Sequence, residues 1–109
     1  SPASIASMSR NHLTPHAMAA SNYGENGMNF GLTVAIINDN SKLPVCVPNG
    51  GYFWGGAAST FFFIDPVNNV TILLFTQVFG NQVRPVWGEL LKYLYGEPQQ
   101  VKNGLSCSQ

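Results

Sequence analysis

Charge is what this sequence has least of. Among its 109 residues, five Lys and Arg stand against five Asp and Glu, 9% in all, with a formal net charge of zero. An ordinary soluble chain carries about 25%. Such a surface has no electrostatic footprint with which to grip nucleic acid or anionic lipid, so neither nucleic acid nor membrane is expected as a partner. Cysteine is scarce as well. Cys46 and Cys107 are too few for the disulfide framework of a small secreted domain, and two thiolates cannot close a structural zinc site. They leave two arrangements open: one bridge closing a long loop, or a core thiol and a separate thiol in a loose tail. Long apolar runs are also missing. Phe61 to Ile64 and Ile72 to Phe75 fall far short of the roughly 20 residues that a membrane helix requires, and a soluble chain is expected. From Ser1 onward no charged stretch leads into an apolar one, so no leader peptide is expected.

What is present is material for packing. Hydrophobic residues make up 45% and aromatics 12%, far from the composition of a disordered chain. The length suits one small domain or a piece of a larger one. A domain of this size buries only about two-thirds of its unfolded surface, and so few charges leave little to cover the remainder. A partner surface is implied.

Ser1-Pro2 has the form of an N-cap followed by proline at the first helical position. It predicts a short helix within Ser1 to His12, with Ile5, Met8 and His12 on one face. Ala19 to Gly27 is rich in Asn, Gly and Ser and reads as loop. Met28 to Ile37 is β-branched and aromatic, the pattern of a strand, and Asn38-Asp39-Asn40-Ser41 ends it. Two further apolar runs, Trp54 to Ile64 and Val70 to Val78, flank Asp65-Pro66-Val67-Asn68-Asn69, where Asp and Pro take positions favoured in a type I turn. That is a hairpin, apolar on both faces near its tip, so both faces need cover. Val83, Trp87, Leu90 and Leu94 then recur at helical spacing, Pro85 sits in the first turn and Gly96-Glu97-Pro98 stops the helix. Trp87 reads as its anchor on the sheet. The expected architecture is α+β: a three-stranded antiparallel sheet, a C-terminal helix packed on it and a short N-terminal helix. Residues 1–98 form the expected single unit, and the polar stretch 99–109 a flexible tail.

Candidate chemistry concentrates at Gly50-Gly51-Tyr52-Phe53-Trp54-Gly55-Gly56-Ala57. Glycine inside a strand marks a bulge or a close backbone approach. At Gly55, Gly56 and Ala57 it either offers backbone N–H groups to a substrate oxygen or admits a tight helix-on-sheet contact. His12 and His16 are four apart, but Pro15 disfavours helix at Thr14 and no carboxylate accompanies them; no metal site is expected. Ser59 and Thr60 with either His lack a placed carboxylate. Asn69-Val70-Thr71 is a glycosylation sequon, meaningful in a eukaryotic secreted setting, whereas the ordinary role of Asn there is that of a turn residue. No cofactor is expected.

The order Trp54-Gly55-Gly56-Ala57-Ala58-Ser59-Thr60, then an aromatic strand to Ile64-Asp65-Pro66, then an apolar strand ending Phe75-Thr76-Gln77, resembles the C-terminal part of the serine β-lactamase-like hydrolases. That group holds class C β-lactamases, penicillin-binding peptidases and related esterases. Met8-x-x-Asn11 and Asn29-Phe30-Gly31-Leu32 fit the same pattern, so the resemblance runs from Pro2 to Tyr95. It implies that Trp54, Gly55 and Gly56 stand where the family has its third motif, on a strand beside the active site. It also implies that the Ala57 N–H is one donor of an oxyanion hole. Trp54 in place of Lys points by analogy to an esterase or peptidase rather than a β-lactamase.

The departures from the family are as informative. Its catalysis requires a Ser-x-x-Lys nucleophile and a second-motif Tyr or Ser. The residues three before Lys42, Lys92 and Lys102 are Asp39, Glu89 and Gln99, and Tyr23 is followed by Gly24 and Glu25, so no catalytic residue is expected in this chain. The family's sheet has five strands, two of them from the N-terminal region, and their absence would bare the edge of the Val70 to Val78 strand. Two functions follow. The chain is the C-terminal segment of a β-lactamase-like serine hydrolase, inactive alone and completed by an N-terminal portion; or it is a non-catalytic stand-alone homo-oligomer paired through that edge.

Overall fold

A computed structural model of the chain describes residues 1–101 and 104–107. Two short helices open it, each started by proline. In α1, Pro2–Met8, the Ser1 hydroxyl accepts the Ser4 N–H at 3.3 Å; in α2, Pro15–Ala20, the Thr14 hydroxyl accepts the Ala17 N–H at 3.2 Å. The second helix was not expected, although Thr14-Pro15 repeats the cap-and-proline signal of Ser1-Pro2.

Among the described residues the main sheet has five antiparallel strands in chain order: β1 Met28–Phe30, β2 Ala35–Ile37, β3 Tyr52–Gly55, β4 Phe61–Asp65 and β5 Val70–Leu74. With three α-helices beside it, this corrects the expected three-stranded sheet, while the α+β class stands. The two additional strands arise because two of the expected strands are hairpins. Between β1 and β2 the Gly31 N–H donates to Val34 O at 2.8 Å around Leu32 and Thr33, and Thr33 takes φ 81°, a conformation rare for a β-branched residue. Between β3 and β4 the Gly56 N–H donates to Thr60 O at 2.9 Å, and Ser59 takes φ 63°. Gly31 and the Gly55-Gly56 pair mark these reversals in the sequence, but as glycines within apolar runs they read as part of continuous strands.

α3, Arg84–Tyr95, packs across one face of the sheet. It has Pro85 in its first turn and ends at Gly96, whose φ of 87° suits glycine at a helix C-cap. Trp87, Leu90, Leu91 and Tyr95 close over Ile37, Phe61, Phe63 and Ile72, with Val45 and Val47 from the β2–β3 connection. The packed stripe runs through Leu91 and Tyr95; Leu94 remains exposed. Each side chain buried fully beneath α3, Phe61 and Phe63 among them, contributes about 1.5–3 kcal/mol. The opposite face is covered only in part. Val34, Ile36 and Tyr52 pack there with Met8 of α1, Phe62 and Ile64, while Leu73 is 60% and Phe75 81% exposed. Among the described residues the sheet ends in β1, whose Phe30 O accepts the His12 N–H, and in β5, which has no strand beyond it.

Beyond α3, β6 Gln99–Val101 pairs with β7 Gly104–Ser106, in the stretch expected to be a flexible tail; residues 102, 103, 108 and 109 of that stretch lie outside the described residues. Of the two cysteine arrangements the structure has the bridge: Cys46 is bonded to Cys107, 61 residues apart. In the chain-entropy picture a loop of that length contributes about 4 kcal/mol.

One carboxylate is buried in the fold. Asp65, 1% exposed, accepts the backbone N–H groups of Val67 and Asn68 at 2.9 and 3.0 Å, the Asn68 side-chain amide at 2.7 Å and the Tyr95 hydroxyl at 2.8 Å. Burial opposes its ionisation, but the hydrogen bonds from Asn68, Tyr95 and Val67 outweigh it and hold the carboxyl below its ordinary range. Burial and the neighbouring carboxylate together push the Tyr95 hydroxyl well above its ordinary value. A depressed acid contributes stability that is complete above its unfolded pKa of about 3.9 and is lost as pH falls through the folded value. Asp65→Asn is therefore expected to lower stability near neutral pH by about 1–3 kcal/mol, since one carboxylate acceptor is replaced by a donor. It should also flatten the loss below about pH 4. Denaturant unfolding across pH checks both; an unchanged acid limb would show that Asp65 is not what the fold titrates.

Candidate functional site

The reversal between β3 and β4 brings a wall of small residues to the surface beside the start of α3. Gly55 is the last residue of β3 and lies against Trp87: a Cβ at Gly55 would collide with the indole ring. The tight helix-on-sheet contact weighed from sequence is therefore present here. The indole stacks on Phe61 with ring centroids 4.8 Å apart, and its Nε1–H donates to Ser59 O at 3.2 Å. Arg84, one turn earlier on α3, carries its guanidinium carbon 5.8 Å from the Trp87 ring centroid, within range of a cation–π contact.

Around this contact opens a cavity of about 510 Å³. Trp54, Gly55, Gly56 and Ala57, the residues singled out in the sequence, all line it. They form one continuous stretch of wall. Tyr23, Arg84 and Trp87 face the cavity from other elements, with Met28, Ala35 and Phe53 also lining it. Sequence reasoning did not place Tyr23 or Arg84 there. Tyr23 lies in a loop, and its ring is positioned by Phe30, 5.6 Å between centroids, which in turn meets Trp54 edge-on at 5.3 Å. Arg84 is brought in by the start of α3; only its neighbour Pro85 hinted at a helix beginning there.

The turn carrying Ala57 is clamped from both sides. Ala58 O accepts the Thr76 hydroxyl at 2.7 Å and the Val78 N–H at 3.2 Å. The buried Ser59 hydroxyl shares its proton between Val78 O at 2.6 Å and Gly80 O at 2.9 Å. Among the described residues the Ala57 N–H has no acceptor. Ala57 is exposed, so its N–H is available to an oxygen acceptor brought to the cavity wall, the kind of backbone donor used in stabilising an oxygen anion.

The other sequence candidates lie apart from this wall. His12 follows α1, and its ring Nε2 meets Ser7 O at 2.7 Å; His16 is exposed in α2. Ser59 is spent on the backbone carbonyls of Val78 and Gly80, so it does not pair with either imidazole. Among the described residues no three of His, Cys, Asp and Glu gather as metal ligands.

No protein-family model matches the chain, and no curated protein matches it. Among solved structures it is similar to EstCE1, a hydrolase with promiscuous acyltransferase activity, with a TM-score of 0.61 and 26% sequence identity over 73% of this chain and 20% of that one. The chain thus spans about a fifth of the length of that hydrolase. The likeness is to part of a hydrolase-like fold.

Substitutions at two positions test the geometry of the wall. Gly55→Ala is expected to drive the indole off Phe61 and cost about 1–3 kcal/mol through overpacking, read by unfolding and by tryptophan fluorescence. At Ser59, Ala loses the hydroxyl and keeps a side chain at positive φ, whereas Gly loses the hydroxyl and relieves φ. Ser59→Ala should fall by about 1–3 kcal/mol, with Ser59→Gly less damaged. If Ser59→Ala unfolds like the parent protein, the hydroxyl clamp is not holding this turn.

Proposed function

We propose that this chain is the C-terminal segment of a β-lactamase-like serine hydrolase. It supplies the oxyanion side of an acyl-transfer site whose nucleophile lies on another segment. The observation that carries the reading is the unpaired Ala57 N–H, fixed by the Ser59 and Thr76 hydrogen bonds on a cavity wall that begins with Trp54-Gly55-Gly56. The partial likeness to a hydrolase with acyltransferase activity supports it. In this reading residues 1–98 are one unit of the fold, and 99–109 a tail joined to it through Cys46 and Cys107.

In this reading the chemistry runs as acyl transfer. A serine oxygen supplied by the other segment, its proton taken by the Lys of that segment's Ser-x-x-Lys, attacks the carbonyl carbon of an ester or amide, and the carbonyl electron pair moves onto oxygen. The Ala57 N–H donates to that developing anion together with the backbone N–H of the nucleophile itself. The pair returns as the C–O or C–N bond breaks and the alcohol or amine leaves with the proton. Trp54 and Tyr23 give the acyl group apolar, aromatic walls, and Arg84 brings a positive charge beside them. With Trp54 where a β-lactamase-type Lys would stand, an ester or peptide carbonyl fits better than a β-lactam. The second reading, a non-catalytic homo-oligomer, is favoured by the free β5 edge with Leu73 and Phe75 exposed beside it.

Intact mass, light scattering and a serine-directed phosphonate applied to one sample separate the two. The hydrolase reading expects a companion segment that carries Ser-x-x-Lys and takes the label, with this chain unlabelled. A particle built from this chain alone, unlabelled, sinks it and leaves the oligomer. In the labelled assembly, replacing Ala57 by lactate removes the N–H and keeps the side chain; kcat is expected to fall about 10²–10³-fold. An unchanged kcat would remove Ala57 from the oxyanion hole.

A further inference from the structure

We propose that Asn69 is a site of N-linked glycosylation. Asn69-Val70-Thr71 is the only Asn-x-Ser/Thr in the sequence, and the fold displays all of it: the three residues are exposed, at the tip of the β4–β5 hairpin and the start of the edge strand β5. Two asparagines stand side by side in this turn, and they are used differently. Asn68 is committed to the structure, its backbone N–H and side-chain amide both donating to Asp65. The Asn69 carboxamide makes no hydrogen bond among the described residues, and neither does the Thr71 hydroxyl. A left-handed turn residue explains the backbone of Asn69, φ 57°, but not a Thr two residues on with its hydroxyl free.

A second observation is independent of the turn. Cys46 is joined to Cys107, and among the described residues no cysteine is free. Disulfides form and persist in oxidising compartments, among them the lumen of the endoplasmic reticulum, where sequons on surface loops are modified. The chemistry requires a lipid-linked oligosaccharide pyrophosphate as co-substrate. The Asn69 side-chain nitrogen bonds to the anomeric carbon of the first sugar, the bond from that carbon to the pyrophosphate oxygen breaks, and the amide gives up one proton as the lipid pyrophosphate leaves. The hydroxyl at Thr71 is the part of the sequon that the transferase reads. A glycan here would shield exposed Val67, Val70 and the open end of β5, adding solvated surface to a protein nearly without charge. The inference does not depend on the hydrolase reading.

The test is expression of the full chain behind a cleavable secretion leader in eukaryotic cells, with lumenal and secreted material analysed by intact mass and peptide mapping. The expected result is a heterogeneous added mass that a peptide N-glycosidase removes in heavy-oxygen water, leaving one labelled Asp at position 69. Asn69→Asp keeps a residue tolerant of the left-handed turn and should lose the added mass completely. Thr71→Ala, at an exposed strand position, should lose it as well, and Thr71→Ser should retain it. Unmodified Asn69 in material whose cysteines are bonded would overturn the proposal, as would an added mass that survives both Asn69→Asp and Thr71→Ala.

Discussion

The Trp87 indole occupies the space that a side chain at Gly55 would fill, and the positions of α3, of the β3–β4 turn and of the cavity all depend on it. With no Cβ in the way, the ring lies flat on Phe61 and brings its N–H to Ser59 O. Helix and turn are thereby tied by one side chain that is both apolar filling and hydrogen-bond donor, the combination that makes buried tryptophan an anchor. A glycine that looks like a weak point in a strand is the condition for the tightest contact in this part of the molecule. The same contact leaves the next residues, Gly56 and Ala57, facing the cavity rather than the core.

The far end of α3 is held by different physics. Tyr95 presents its ring edge to Phe63, 5.9 Å between centroids, and its hydroxyl to Asp65. Asp65 in turn organises the β4–β5 turn through Val67 and Asn68. A buried carboxylate left alone would be costly, but one that accepts from several donors is an organising centre. The helix is therefore pinned at one end by shape and at the other by a charged hydrogen-bond network. Between these ends, Leu90 and Leu91 need only fill space. The two hairpin turns flanking β4 are each fastened to α3, which is why the wall at Ala57 and the tip at Asn69 are both well defined.

The surface carries the marks of the composition. The charged contacts among the described residues include Lys92 with Glu89 at 3.3 Å and with Glu97 at 3.1 Å, exposed pairs of the kind that contribute little. One sheet face has its helix; among the described residues the other has Met8 of α1 at one side, with Leu73 and Phe75 in the open. An apolar edge strand beside an uncovered apolar face is a surface suited to being covered. A companion segment or a second copy of the chain would meet that requirement by burying the same apolar edge.

Local pattern was enough to determine much of this protein. The helical spacing of Trp87 and Leu90, the Gly96 stop, the Asp65-Pro66 turn and the small-residue stretch from Trp54 to Ala57 are all short-range features, legible because capping, turn chemistry and periodicity act over a few residues. The scarcity of charge likewise set the expectation that neither nucleic acid nor an anionic membrane is a partner. The tertiary structure decided what the pattern could not encode. Two runs of apolar residues became hairpins because Thr33 and Ser59 accept positive φ, a cost that packing offsets and that Gly31 and Gly56 beside them announce only weakly. Pro15–Ala20 became a helix although the chain from Ala19 onward read as loop. Tyr23 and Arg84 reached the cavity from elements far apart in sequence, and Cys46 met Cys107 only because the chain returned past α3. Those outcomes depend on long-range contact, whose energy resides in the assembled core rather than in any window of the sequence.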